Sequence, residues 1–329
     1  MSVIFMFLDG VGLAGSGPDN PLSRAATPVL RALLGGPLTI ESESYRPSSI
    51  VYGLPNRPVL LKPIDATMGF PGLPQSGTGH VALFAGVNAA ELHGRHQPHF
   101  PPVALRPLLA EQNVLRRVVA RGGRATFANA FGPRYWEAVA ARHIRRSASV
   151  IAAEGAEIRL RDLHDLRAGR AMAWDVTGAA LRGHEPTAGL PLFTPEEAGA
   201  NLARLAEDND LVLYESFLPD MAGHGRLAND EPAGGNRRSQ PAVESQVVAA
   251  MNLLDALIGG VLAVLRPQDT LVISSDHGNV ESLAAPAHTR NPVPLLAIGP
   301  GAPIFEDVES IVGVADAIVA TLDLGSLAK

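Results

Sequence analysis

Four short segments hold the residue types that metal-assisted group transfer needs. FLDGVG carries Asp9, and LPQSGTGHVALFAG carries Ser76 and His80. FLPDMAGH carries Asp220 and His224, and ISSDHGN followed by AHTRNPVP carries Asp276, His277 and His288. Each has an ordinary use alone, since aspartates after strands cap helices or close turns and most histidines ligate nothing. Together they offer carboxylate oxygens and imidazole nitrogens, donors suited to Mn2+ or Zn2+, with Mg2+ a further candidate. Asp220 and His224 are four apart and share a face if a helix begins there. Asp276 and His277 are adjacent at a strand end and can direct neighbouring ligands toward two ions. There is no cysteine, which excludes disulfides, thiolate metal sites, Fe–S clusters and cysteine nucleophiles together.

Ser76 stands in a glycine-bearing turn that opens an apolar run over 81–85, read as a helix. A hydroxyl there lies among free backbone N–H groups at the positive end of a helix dipole, an anion-binding position. Those donors and a metal favour the alkoxide needed to attack phosphorus. A helix-capping serine is the plainer reading of the same residue. Thr78 is an alternative hydroxyl, and His80 is read as orienting the turn. His93, His96 and His99 mimic a metal tract but read as hinge or surface residues.

Positioning these side chains falls to short apolar runs at Val3–Leu8, 211–217, 270–275 and Val293–Ile298, three of which lead into an aspartate. Continuous rather than alternating runs suit strands covered on both faces, and helical patterns lie at 27–34, 245–265 and 311–322. Thr27 is the expected N-cap of the first, with Pro28 at its first turn. The prediction is an α/β fold whose ligand site lies beyond the carboxyl ends of the strands. From 92 to 206 the chain turns arginine-rich, with a βα-like succession at 124–130, 135–141 and 148–153. This predicts an inserted cap over 92–206, with 1–91 and 207–329 as the catalytic core. Arg134, Arg142, Arg145 and Arg146 are the cap's candidate clamp for a substrate phosphate or carboxylate. A loop at 226–241 with paired glycines and arginines has the composition of a lid.

With 329 residues, 46% hydrophobic, the chain has ample length for a buried core, in one large domain or two. A net charge of −6 argues against nucleic acid or an anionic membrane as the main partner. Of 27 basic residues only Lys62 and Lys329 are lysine, so 25 are arginine. MSVIFMFLDG lacks a basic start and its apolar run ends at Asp9, so no signal peptide is expected there. The run 247–265 contains Asn252 and Asp255, which favours a buried helix over a membrane span and a cytoplasmic protein.

In this order the four motifs resemble the alkaline phosphatase superfamily, specifically its branch of cofactor-independent phosphoglycerate mutase and phosphopentomutase. SGTGHVALFAG resembles the mutase nucleophile segment; PDMAGH, SDHGN and HTRNPVP resemble its metal-binding segments. The resemblance implies a mostly parallel central sheet flanked by helices, with a smaller inserted α/β cap. It implies two divalent ions, one held by Asp9, Ser76, Asp276 and His277, the other by Asp220, His224 and His288. Ser76, four before His80 as in the mutases, would accept the phosphoryl group, giving a phosphoserine. The insertion is closer in size to the phosphopentomutase cap, and the phosphoglycerate mutase DGRD-type substrate motif is absent. The expected function is mutase-like phosphoryl transfer on a small phosphorylated metabolite. A phosphatase or phosphodiesterase is the alternative, and a non-catalytic metal-binding regulator a further one. Sulfatase chemistry is disfavoured, because there is neither a cysteine nor a Ser-x-Pro-x-Arg segment at Ser76.

Overall fold

The computed structural model describes residues 1–42, 44–48, 57–227, 240–285 and 287–327. Most of the loop read as a lid, 228–239, lies outside the described residues. In chain order the strands are β1 (Val3–Leu8), β2 (Ser44–Ser48), β3 (Arg57–Ile64), β4 (Ala125–Phe127), β5 (Ala130–Phe131), β6 (Arg161–Asp162), β7 (Leu211–Ser216), β8 (Thr270–Ser274) and β9 (Val293–Ile298). Seven form one sheet in the order β2-β3-β9-β8-β1-β7-β4, and β5 pairs with β6 separately. The neighbours β8, β1, β7 and β4 are parallel, while β9, β3 and β2 alternate in direction. The sheet is therefore mostly parallel, as expected.

The period of two along each strand sorts side chains to the two faces. Val3, Phe5 and Phe7 join Leu211 and Leu213 in a core under the helix Ser76–Ala85. Ile4, Met6 and Leu8 join Val212 and Tyr214 in the opposite core, against the helix Gln240–Val264. That helix is long and apolar enough to cross a membrane. In the fold Leu254, Leu257, Ile258, Val261 and Leu262 are fully buried on the sheet, so it is a core helix. Its Asp255 also performs the capping assigned to Thr27. Thr27 makes no cap bond, whereas Asp255 accepts from the Val29 and Leu30 N–H groups at 3.0 and 2.8 Å.

Strand β3 was not anticipated, because Pro58 and Pro63 argue against a strand. Its register puts Pro63 opposite Pro294 and Pro58 opposite Pro47. Prolines thus face prolines at ladder positions that need no N–H donor.

Residues 92–206, expected as a cap, are divided between the main sheet's two cores and a small core of their own. β4 extends the main sheet, with Ala125 beside Leu211 and Phe127 beside Leu213. Leu115, Val118, Val150 and Ala152 enter the core beneath Ser76–Ala85, and Ala198 and Leu202 enter the other. A small core of its own exists only around Ala130, Leu163, Leu166, Ala171, Ala173, Leu181 and Leu190. The change in composition marks solvent-facing arginines, while the inward positions stay apolar and join the common cores.

The helix Pro195–Arg204 reaches the helix Gln240–Val264 through glycine: a Cβ on Gly260 would lie 2.2 Å from the Glu196 carbonyl oxygen. In an open helix Gly→Ala stabilises by about 1 kcal/mol. Here overpacking costs about 1–3 kcal/mol, so the sign reverses. Gly260→Ala is expected to lower the Tm by several degrees in a thermal melt; an unchanged or raised Tm contradicts this packing.

Candidate metal centre

β1 and β8 are adjacent and parallel, with Phe7 opposite Ser274, so the residues following them emerge at one rim of the sheet. Asp9 follows β1, and Asp276 and His277 follow β8. β7, on the other side of β1, leads into the helix Leu218–Gly223 that carries Asp220, with His224 at its C-cap. Ser76 is the first residue of the helix Ser76–Ala85. Its capping position is taken by Gln75, so Ser76 is not the cap. The glycines around it have a steric cause. A Cβ on Gly77 would meet the Phe100 carbonyl oxygen at 2.4 Å, and one on Gly79 would meet the Asp276 Cβ at 2.8 Å.

All seven expected donors converge. The Ser76 hydroxyl is 2.9 Å from His277 Nε2, which lies 3.3 Å from both Asp9 Oδ1 and Asp276 Oδ2. Asp220 Oδ1 is 3.4 Å from His224 Nε2 and 3.6 Å from His288 Nε2, and the two histidine nitrogens are 3.4 Å apart. The two groups meet where the His277 ring stacks on His288 at 3.6 Å, so one centre holds both. His288 Nδ1 is fixed by the Pro74 carbonyl at 3.1 Å, leaving Nε2 for the centre.

His80 does more than orient the turn. Its Nε2 lies 3.3 Å from Asp9 Oδ2 and 3.1 Å from Asp276 Oδ2, and Asp9, His80 and Asp276 form one potential ligand group. Asp220, His277 and His288 form another. Sequence spacing alone gave no reason to pair His80 with two distant carboxylates. Thr78 is engaged elsewhere. Its hydroxyl accepts from Gln97 N–H and donates to the Gln75 carbonyl, joining the turn to the following loop. His93, His96 and His99 do not converge: His93 contacts Gln97 and His96 the Phe70 carbonyl. A third acidic group, Asp162, His164 and Asp165, has its oxygens engaged in a capping box and in the pair with Arg159. Arg134, Arg142, Arg145 and Arg146 are all exposed, and among the described residues none contacts the seven donors. Arg146 pairs instead with Glu154 at 3.1 Å.

Burial pushes the Asp9 carboxyl far above its ordinary range, and the adjacent Asp276 charge adds to this. Burial also acts on Asp276, but the His277 and His80 imidazoles outweigh it and hold its carboxyl low. His80 shows the reverse balance: burial disfavours its charge, yet Asp276 and Asp9 raise it well above an ordinary histidine. Burial keeps His277 neutral, with a pKa of about 4. Asp9 Oδ1, Asp276 Oδ2 and His80 Nε2 are buried without a hydrogen-bond partner. An excess of buried oxygen and nitrogen donors over protons is what a divalent cation satisfies, and the absence of sulfur suits a hard or borderline ion.

Residues 242–323 match the family model described as the metalloenzyme superfamily. The chain is 38% identical over 117 residues to a 2,3-bisphosphoglycerate-independent phosphoglycerate mutase of Syntrophotalea carbinolica, a match covering 33% of this chain and 20% of that one. It is 27% identical over 260 residues to a phosphopentomutase of Methylobacterium sp., covering 62% of each. These matches span less than two thirds of either relative's length. In three dimensions it superposes on a cold-active alkaline phosphatase from Shewanella sp. with a TM-score of 0.51 and 16% identity, covering 98% of this chain and 100% of that one. The fold is alkaline-phosphatase-like, and the stretch 242–323 is similar to the metalloenzyme superfamily.

Behind the centre lies a group that the motifs did not indicate. Glu215 of β7 is fully buried beside Phe7, whose ring packs edge-on against His80 at 4.7 Å. The Ser149 hydroxyl donates to its Oε2, while Oε1 has no partner. Burial raises its pKa from 4.5 to about 7. Between those values the unfolded carboxyl ionises while the folded one stays neutral, so stability falls as pH rises and levels off above about 7. The Tm of Glu215→Gln relative to the unaltered protein is therefore expected to climb from about pH 5 to about pH 8. A difference that stays constant with pH contradicts a buried neutral carboxyl.

Proposed function

We propose that this protein is a metal-dependent phosphoryl transferase acting on a small phosphorylated metabolite, mutase-like, through a phosphoserine at Ser76. The observation that carries the reading is the Ser76 hydroxyl, at the first turn of a ten-residue helix and 2.9 Å from His277 Nε2 among the convergent donors. Two divalent ions, of which Mn2+ and Zn2+ suit the ligands best, would be held by Asp9, Ser76, Asp276 and His277, with His80 adjacent, and by Asp220, His224 and His288. When bound they supply positive charge for the serine oxygen and for the phosphoryl oxygens in the transition state.

The residues do the rest. The helix Ser76–Ala85 aims Ser76 and its first free N–H groups at the incoming phosphate, where the dipole favours negative charge. Burial leaves His277 neutral, with its Nε2 2.9 Å from the Ser76 hydroxyl. The serine oxygen forms a bond to phosphorus as the ester P–O bond breaks, and the departing oxygen takes up a proton. In the second step another hydroxyl of the same substrate receives the phosphoryl group from Ser76. The mutase outcome is favoured over hydrolysis because the sequence relatives across the metal-binding segments are mutases.

Incubation with a panel of sugar phosphates and phosphoglycerates, followed by rapid quench and intact-mass measurement, tests the reading. One added phosphoryl group mapping to Ser76, with an isomeric product, is expected. Release of inorganic phosphate alone makes the enzyme a phosphatase. Ser76→Ala is expected to lose orders of magnitude in rate while keeping its fold, as loss of a covalent route does. Full activity in that variant overturns the role of Ser76. His288→Ala is expected to reduce Mn2+ bound per chain, by elemental analysis, from two to one; unchanged stoichiometry removes His288 from the ligand set.

A further inference from the structure

Three loops that bring ligands to the centre meet at one side chain outside both donor sets. Glu281 is 1% exposed. Its Oε2 accepts from the Gly12 N–H at 3.1 Å and the Asn279 N–H at 2.8 Å. Its Oε1 accepts from Asn291 Nδ2 at 3.0 Å and from the Thr289 hydroxyl. Gly12 lies in the loop that leaves Asp9, Asn279 follows His277 by two, and Thr289 follows His288 directly. Asn279 extends the link to the second donor set, since its Nδ2 donates to Asp220 Oδ1 at 2.7 Å. The same loops are braced by Val280 N–H to the Gly10 carbonyl at 3.1 Å and Leu13 N–H to the Pro292 carbonyl at 2.7 Å.

Four donors on two oxygens fill about the whole accepting capacity of a carboxylate. Glu281 therefore has no lone pair left for a cation, and its bonds all lead to the backbone and side chains next to ligands. An ionised acceptor makes each bond roughly twice as strong as a neutral one, which suits a single group asked to hold three loops. A glutamine would present two N–H donors where all four partners donate.

We infer that Glu281 is a positioning residue that sets the Asp9, His277 and His288 loops in the register needed to hold two cations. The inference rests on the metal-centre reading above. It goes beyond the ligand set, because it assigns metal affinity to a residue that touches no metal.

Titration calorimetry of the full chain with Mn2+, well below the unfolding temperature, tests it. Wild type is expected to take up two ions. Glu281→Gln and Glu281→Ala are expected to bind about 10- to 100-fold more weakly, the range seen when a ligand's orienting partner is lost. Thr289→Val, a milder change that keeps volume and removes one donor, is expected to weaken mainly the binding step that His288→Ala abolishes. A merely structural role would lower the Tm of the metal-free variants and leave the Mn2+ affinity of the folded fraction unchanged. Mn2+ affinities within twofold of wild type in the folded variants overturn the inference; should the Glu281 variants not fold, Thr289→Val alone decides it in the same way. A wild-type chain that binds no Mn2+ overturns the centre itself, an outcome distinct from failure of the positioning role.

Discussion

Two carboxylates brought out of water at the ends of neighbouring parallel strands are the constraint around which the rest of the site is arranged. Asp9 and Asp276 are buried side by side, and neither can stay ionised there without compensation. In the protein alone that compensation comes from His80, wedged between them, while burial pushes the Asp9 carboxyl upward. The arrangement is costly by itself and becomes favourable with a divalent cation, which supplies positive charge to both carboxylates. This is why the cluster reads as a metal centre rather than as a structural ion pair.

The fold is shaped to meet that constraint. Parallel pairing of β8, β1 and β7 delivers Asp276, Asp9 and the Asp220 helix to the same rim, and the helix Ser76–Ala85 lies over the opposite face of β1 from Gln240–Val264. The helix that carries Ser76 can approach Asp276 only because Gly79 has no side chain. Glu281 then ties together loops that the strands deliver but do not orient. Strands set which residues meet; loop hydrogen bonds set the distances at which they do so.

Much of this was legible in the sequence because its signals are local. The run before Asp9 is apolar to its last residue and the one before Asp276 is apolar through Ile273, so strands and candidate donors were marked together, and Asp220 and His224 lie within one helical turn. What was not legible depends on contacts between distant segments. His80 has no meaning as a ligand until β1 and β8 are side by side, and Glu281 none until three loops close on it. Strand β3 was hidden by prolines that are harmless only at ladder positions needing no N–H donor. The inserted cap was inferred from arginine content and a βα-like succession; the arginines report exposed faces, while the inward residues of 92–206 divide between the two common cores and a small one of their own.

The most direct test of a two-cation centre is anomalous diffraction at the manganese edge from crystals grown with Mn2+. The account predicts two peaks in each chain, one bounded by Asp9, Ser76, Asp276 and His277 and one by Asp220, His224 and His288. A single peak, or none among these residues in a correctly folded crystal, would contradict it.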